Sequence, residues 1–523
     1  MRNSLRNITY LFFFGLFELF ALFTIALFII YKPIASSLRY SGSSIWYAYV
    51  AAILLAAVFV WIVVKVFLKC CSFIFYNRFL LISSIVLITA IPRIIWINLV
   101  NVVPVSDFAT FNAVATQIVN GNVTGNNYIS LFPHVIGYST FLSLFYRIFG
   151  CKVIVAQLLN IALGCGISVT LFFIGKKIFD ERCGYIAAIV WALWPSHIMY
   201  NSLVASEELF TFLNLLCILF FIHITKYKDR YYKLIILFII LGILCAIANA
   251  VRPLSMVLII AAGIFYFIFT WENNKPVKSQ VIIKIIAYSA LFISFFLAGR
   301  CINLLISNTL RQEVARTPIG FSAFVGSNIN SGGAWNTEDS KVLLELMEKY
   351  GKQPQDIHDE LLKRAVERYK SQSFQNLTLL LKKHKIMWTT ENDILVYIKA
   401  GLDMEKPSRM DFLRNYNRLN LINNLYYYMI LIFCVISGYI MIKKLMVNNE
   451  YQAIFLLIFI SGMIAVHMIV EVAGRYHYPA VPIFALVSSY GLVNTEFLQY
   501  KLIRTNKIND PGLQKITLKE ERQ

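Results

Sequence analysis

Apolar runs of about twenty residues recur along most of the chain, separated by short polar joints. Runs of that length, near-continuously apolar rather than one-sided, are long enough to cross a bilayer as helices. They fall near 10–31, 45–68, 79–100, 152–175, 183–199, 208–225, 234–250, 253–271, 281–305, 424–442, 452–470 and 480–499. The pattern therefore predicts an all-α, polytopic membrane protein with about twelve spanning helices, and no internal repeat is visible.

Two regions break the rhythm. In 101–151, Phe108, Phe111, Val114, Ala115 and Ile118 recur at helical spacing directly after Pro104, Ser106 and Asp107. One apolar stripe on a short helix suits a segment lying in the membrane interface. A second apolar patch, Pro133 to Phe149, is too short to span comfortably and is expected to be interfacial as well. The other region, 306–423, is the one long polar stretch. It opens with a Gly/Asn/Ser-rich piece from Gly326 to Trp335. Helical patterns follow over Glu338–Tyr350, which stops at Gly351, and over Gln355–Tyr369. A small helical domain outside the membrane is expected there.

Charge gives these regions a side. Arg2, Arg6, Lys69, Arg78, Lys176, Lys177, Arg182, Lys226, Lys228, Arg230, Lys233, Lys275, Lys278, Lys443 and Lys444 gather in alternate joints, with Lys501, Arg504 and Lys507 in the tail. The intervening joints hold few basic residues, chiefly Lys32, Arg39 and Arg252. By the positive-inside bias both termini are cytoplasmic, and 101–151, 200–207 and 306–423 face outward. Had Pro133–Phe149 spanned, Lys176, Lys177 and Arg182 would lie on the wrong side.

Composition narrows the class. The 523 residues are 58% hydrophobic and 15% charged, with a mean hydropathy of +0.65. That excludes a disordered chain and a plain cytosolic enzyme. The net charge of +20 is explained by the cytoplasmic joints, so no nucleic-acid partner is expected. Nine scattered cysteines contain no CxxC pair and frame neither a zinc knuckle nor a disulfide scaffold. The first apolar run is too long for a cleaved signal and reads as a retained anchor. The richness in Ile, Lys, Asn and Phe is the usage of AT-rich bacterial genomes, so a bacterial plasma membrane is expected.

The candidate chemistry lies on the outward side. Asp107 opens the interfacial helix, where the dipole keeps a carboxylate ionised; it can cap the helix or take a proton from a hydroxyl. Glu207 and Glu208 follow Ser206 at a tight outer turn, close to the membrane plane. Adjacent helical residues point apart, which leaves one of the two as a bystander, and Glu207 is the favoured one. Arg252, before Pro253, is a basic residue on the side that otherwise avoids them, and its fork suits phosphate oxygens. Glu471, Arg475, Tyr476, His477 and Tyr478 crowd a short outer joint, where Arg475 and His477 suit a phosphate or Glu471 and Arg475 simply pair. His134 is an auxiliary candidate. Arg93 and Arg300, near the outer halves of their spans, read as snorkelling side chains.

The order of these features resembles the GT-C membrane glycosyltransferases, closest to the protein O-mannosyltransferase and aminoarabinose-transferase branch. The likeness rests on Pro104-Val-Ser-Asp107, Pro133-His134 through Tyr138 with Phe149-Gly150, Ser206-Glu207, Arg252-Pro253 and Glu471 through Pro479, about half the chain. It implies a sugar taken from a polyprenyl-phosphate carrier and passed, with inversion, to an acceptor hydroxyl on a glycan, glycolipid or protein. Asp107 would be the base and Glu207 its assistant. Arg252, Arg475, Tyr476 and His477 would contact the donor phosphate, with His134, Glu208 and Glu471 as auxiliaries. A divalent metal ion at the carboxylates is left open. Phe108-Ala109 stands where the family often has a second carboxylate, Pro133-His134 replaces a frequent Pro-Pro, and two extra spans precede the usual first. The implied organisation is a core over 1–305, an outer domain over 306–423, closing spans over 424–500 and a cytoplasmic tail over 501–523. A transporter or flippase of lipid-linked glycan, or a glycan polymerase or ligase, is the alternative that shares the outer Arg and His residues.

Overall fold

A computed structural model describes residues 2–38, 43–123, 127–226, 231–271, 276–351, 353–403, 408–448 and 453–495. The expected tail over 501–523 and the joint residues Arg39, Lys228, Arg230 and Lys275 lie outside the described residues. The helices run, in order, α1 (Arg2–Tyr31), α2 (Ser43–Cys70), α3 (Arg78–Leu99), α4 (Asp107–Val119), α5 (Asn127–Leu131), α6 (His134–Phe149) and α7 (Val153–Ile178). There follow α8 (Glu181–Ala192), α9 (Pro195–Tyr200), α10 (Ser206–Thr225), α11 (Tyr231–Val251), α12 (Ser255–Phe269) and α13 (Val277–Leu310). The outer region holds α14 (Gly320–Gly326), α15 (Thr337–Tyr350), α16 (Pro354–Gln372), α17 (Gln375–Trp388) and α18 (Asp393–Ala400). The chain closes with α19 (Ser408–Asn448), α20 (Ile454–Ile469), a 3-10 turn over Gly474–Ala480 and α21 (Val481–Asn494). Among the described residues the only extended pairing is an isolated bridge between Val102 and Leu402.

Within the described residues each of the twelve apolar runs is helical over most of its length. Among the described residues eight helices are long and apolar enough to cross a membrane, and α12 and α20 are shorter apolar helices. The run at 183–199 is broken. Trp194 is extended because a residue before proline avoids the α region, and Pro195 then starts α9 at its first turn. Helix α19 starts well before its expected span at 424. Its 41 residues rise about 60 Å at ~1.5 Å each, against a hydrocarbon core of about 30 Å. It is therefore longer than a span needs, and its first residues, Ser408 to Asn423, belong to the 306–423 region.

The interfacial elements form where the periodicity put them. Helix α4 buries Phe108, Phe111, Val114 and Ala115, and it packs on α6. Ser139 donates to the Phe111 carbonyl at 3.0 Å and Tyr146 to Asn112 at 2.6 Å, tying the two together. Helix α6 also lies against α11, at a place where only glycine fits. A Cβ on Gly137 would sit 1.9 Å from the Ala250 carbonyl oxygen. That contact fixes α6 directly beside the end of α11, where Arg252 follows.

The Gly/Asn/Ser-rich stretch is a bracket. Gly332 and Gly333 adopt positive φ, as glycine allows. Their turn lets the Gly333 carbonyl accept from the Val472 amide at 2.9 Å, while Ser322 accepts from the Glu471 amide at 2.7 Å. The joint that carries Glu471 and Arg475 is thereby held by residues about 140 positions earlier.

Candidate functional site

Asp107 is the first residue of α4. It follows Ser106, a non-glycine residue at φ 52, a strained backbone of the kind found at functional sites. The Val103 amide donates to the Gly401 carbonyl at 2.6 Å, which anchors the approach to this turn on the end of α18. The Asp107 carboxylate accepts a hydrogen bond from the Arg475 guanidinium and forms an ion pair with it. The Arg475 side chain is 8% exposed and that of Asp107 41%, so Asp107 is the partner a substrate can reach. Burial works to raise the Asp107 pKa, but the charge and hydrogen bond of Arg475 prevail and hold it below the usual value.

Arg475 is itself caged. Its guanidinium lies 5.2 to 5.6 Å from the ring centres of Tyr397, Phe108 and Tyr476, within cation–π range. Its backbone amide donates to Asp393 Oδ2 at 2.8 Å. Arg252 also lies beside Tyr476, 5.7 Å from the same ring. Arg252 pairs with the fully buried Glu207 at 3.0 Å. Two Arg–carboxylate pairs therefore lie beside one tyrosine ring, and the charge of Arg252 also acts on Asp107.

The remaining candidates surround this arrangement. Glu471 does not pair with Arg475 along a helix; its Oε1 accepts from the Tyr476 hydroxyl at 3.4 Å. Burial pushes the Glu471 carboxyl up to about 7. His134 leads α6 with its Nδ1 buried and free of hydrogen bonds. Burial, followed by the charge of Arg252, pushes its pKa down to about 4, so it is a neutral imidazole at physiological pH. Glu208 is as buried as Glu207 but turns away toward Arg93 of α3 and Tyr478. Arg93 does not snorkel: it is fully buried and donates to the Thr89 and Ala192 carbonyls at 3.0 and 2.8 Å.

His477 sits on the inner side of the 3-10 turn. Its Nδ1 meets the Met387 carbonyl at 2.6 Å and its Nε2 meets Glu391 at 3.0 Å. Both ring nitrogens face acceptors, which suits an imidazolium. Burial alone would lower its pKa, but Glu391 carries it above the ordinary value. The other Glu391 oxygen accepts from Ser196 at 2.7 Å, so this carboxylate ties α9 to the turn. His477 is therefore committed inside the protein, unlike Arg475 and Arg252, which border the half-buried Asp107.

Three residues of this neighbourhood carry no sequence signal. Glu391 lies between α17 and α18 and Asp393 opens α18, in a stretch that reads only as a polar break after Trp388. Lys383 is 2% exposed on α17. It donates to the Met468 and Val470 carbonyls at 3.0 and 2.8 Å, capping the end of α20. Burial pushes its ammonium down to about 7.

With this geometry in place, comparison with known proteins adds a family. The model of the dolichyl-phosphate-mannose-protein mannosyltransferases matches residues 133–298. That match bears out the resemblance. A membrane setting agrees with the eight described helices that are long and apolar enough to cross a bilayer. The matched stretch carries His134, Glu207, Glu208 and Arg252, while Asp107 and Arg475 meet it from either side. No curated protein matches the sequence. Among solved structures the fold is similar to the Archaeoglobus fulgidus oligosaccharyltransferase in its apo form, at 12% identity and a TM-score of 0.47 over 83% of this chain and 52% of that one. It is likewise similar to the same enzyme with Zn and sulfate, at 14% identity and 0.45 over 82% and 51%. The chain thus spans about half the length of these neighbours. Among the described residues no three His, Cys, Asp or Glu side chains converge as a metal would need. Asp107 and Glu207 each face an arginine instead. These residues do not fit a metal site, and no step below depends on one.

Proposed function

We propose that the chain transfers a single sugar from a polyprenyl-phosphate carrier to an acceptor hydroxyl at the outer membrane face, with Asp107 as general base. The observation that carries this reading is the pairing of a reachable, ionised Asp107 with Arg475, with the Arg252–Glu207 pair beside the same Tyr476 ring.

The donor is a phosphodiester with one negative charge, and the departing polyprenyl phosphate is a monoester with a greater one. Arginines beside the leaving oxygen are therefore worth more as the bond breaks than in the ground state, which is the condition for catalysis. The acceptor oxygen attacks the anomeric carbon, and the electron pair of the C–O bond to phosphate leaves with the phosphate. The hydroxyl proton goes to Asp107. Attack opposite the leaving group inverts the anomeric centre. Arg475 serves both ends: it lowers the pKa of Asp107 at rest and turns toward the phosphate as its charge grows. Glu207 keeps Arg252 aimed, and neutral His134 adds a hydrogen-bonding nitrogen without charge. The 306–423 region, bracketed onto the Glu471–Arg475 joint, would cover the site and recognise the acceptor. A metal ion has no part in this scheme.

The test is mass spectrometry of lipid-linked sugars and surface glycans after deletion of the gene. The expected result is loss of one surface sugar with accumulation of its polyprenyl-phosphate form, reversed by the wild-type gene and not by Asp107→Asn. An unchanged pool of every polyprenyl-phosphate sugar would overturn the reading.

A further inference from the structure

Helix α17 carries one stripe that is covered at one end and bare at the other. Phe374, Leu377, Leu381, His384 and Trp388 follow one another at spacings of three and four residues, which sets them on a single helical face. The C-terminal end of that face packs on α1. Trp388 meets Phe20 edge to face with 5.0 Å between ring centres, and the His384 ring stands 5.3 Å from Phe20 and 5.0 Å from Phe23. His384 Nε2 also lies 3.0 Å from the Thr24 hydroxyl. The N-terminal end has no such cover: Phe374 is 96% exposed, Leu377 67% and Leu381 42%.

The covered end gives the depth of the bare one. The apolar span in α1 is Ser4–Tyr31. A hydrocarbon core of about 30 Å centred on it takes in about twenty residues at ~1.5 Å each, and Phe20, Phe23 and Thr24 fall inside. The Trp388 end of α17 therefore stands at hydrocarbon depth rather than above the membrane. Headgroup level is marked by Tyr31 at the end of α1. The Lys385 ammonium lies 4.5 Å from the centre of that ring, and tyrosine and lysine are ordinary residents of the interface.

The neighbours of the bare stripe decide what covers it. Leu19, Leu22, Phe23, Ile29 and Ile30 of α1 are exposed, and on a spanning helix such side chains face acyl chains. Phe23 belongs both to that surface and to the contact with His384, so the stripe on α17 adjoins the lipid-facing surface of α1. The protein's own interior takes a different face of α17, with Leu379, Lys383 and Met387 buried. We infer that α17 is seated in the leaflet on the side of Asp107, with Phe374, Leu377 and Leu381 against lipid acyl chains and Lys385 at the headgroups. The 306–423 region is then anchored in the membrane interface by its own helix. Because the Met387 carbonyl meets His477, that anchor also sets the height of the turn that holds Arg475. The seating does not depend on the proposed reaction.

The test is spin labelling of the full-length protein in vesicles of phosphatidylethanolamine and phosphatidylglycerol. The exposed Cys70, Cys151 and Cys301 are first replaced by serine, and that protein supplies the background. A nitroxide is placed on Leu377→Cys and on Leu381→Cys. Leu22→Cys of α1 serves as the lipid-facing reference, and Glu345→Cys, at an exposed position of α15, as the aqueous one. Oxygen concentrates among acyl chains and a nickel chelate in water. At both α17 positions the ratio of oxygen to chelate collisions should exceed that of Glu345→Cys by about fivefold or more and approach that of Leu22→Cys. A ratio no higher than that of Glu345→Cys would overturn the seating. Exclusion of both reagents from both positions would overturn it as well, by showing a second copy of the chain or another protein on the stripe.

Discussion

At the scale of single residues, Asp107 has two duties that substitution separates. As the first residue of α4 it favours the helix dipole, and asparagine serves almost as well at a helix start. As a base it needs its charge. Asp107→Asn should therefore keep the helix start and binding of polyprenyl-phosphate sugar, with a lower unfolding temperature from the lost Arg475 ion pair, while the rate falls about 10²–10⁴-fold, the usual worth of general-base catalysis. Normal turnover in a folded Asp107→Asn protein would move the base elsewhere. Glu471 makes a second separable case, through pH. Its carboxyl is raised by burial from 4.5 to about 7, so the folded state binds a proton more tightly than the unfolded one. Its contribution to stability is full below pH 4.5 and is lost as pH rises through about 7. Glu471→Gln mimics the protonated form and has no such loss. Unfolding curves at pH 5 and pH 8 should show the variant gaining on wild type at the higher pH. Parallel pH dependence of the two proteins would contradict the burial of that charge.

At the scale of elements, the site depends on how closely helices approach. Gly137→Ala would drive a methyl group into the Ala250 carbonyl, and the backbone on both sides leaves nothing flexible to yield. Helix α6 must then move off α11, carrying His134 away from Arg252. Overpacking of this kind costs about 1–3 kcal/mol. The expected outcome is a lower unfolding temperature together with a raised donor KM; an unchanged KM would mean that α6 does not set the spacing of the site. The same scale explains what the sequence made legible. Period and length were enough to find α4, α6 and all the apolar helices, because a lipid- or core-facing stripe imprints itself on consecutive residues. The break at Trp194 was readable in principle from Pro195. Asp393, Glu391 and Lys383 were not, since their roles arise from partners 82 to 87 positions away and their local surroundings read as an ordinary polar surface. Pairing was illegible for the same reason. Arg475 has Glu471 four residues off, yet its partner is Asp107 across the fold.

At the scale of the whole molecule, a single question of sidedness governs every role proposed. Helix α10 runs from Ser206 to Thr225 and α11 returns from Tyr231 to Val251, so the Glu207–Arg252 ion pair binds the two ends opposite to the Lys226 and Lys233 joint. The Gly333–Val472 hydrogen bond puts the Gly326–Trp335 bracket at the same end as Arg475. One labelling experiment therefore locates the entire site. Cys70, Cys151 and Cys301 are exposed and must first be replaced by serine. Asn330 and Lys233 are both exposed, one at each end. In intact cells an impermeant maleimide should modify Asn330→Cys, and Lys233→Cys only after the membrane is opened. The positive-inside bias predicts this order, because Lys176, Lys177, Arg182, Lys226 and Lys233 share the second end. The reverse result would put Asp107, Arg252 and Arg475 in the cytoplasm. There a soluble nucleotide sugar is at hand, the need for a lipid-linked donor disappears, and the basic pairs beside Tyr476 would have to be reassigned to a different phosphate.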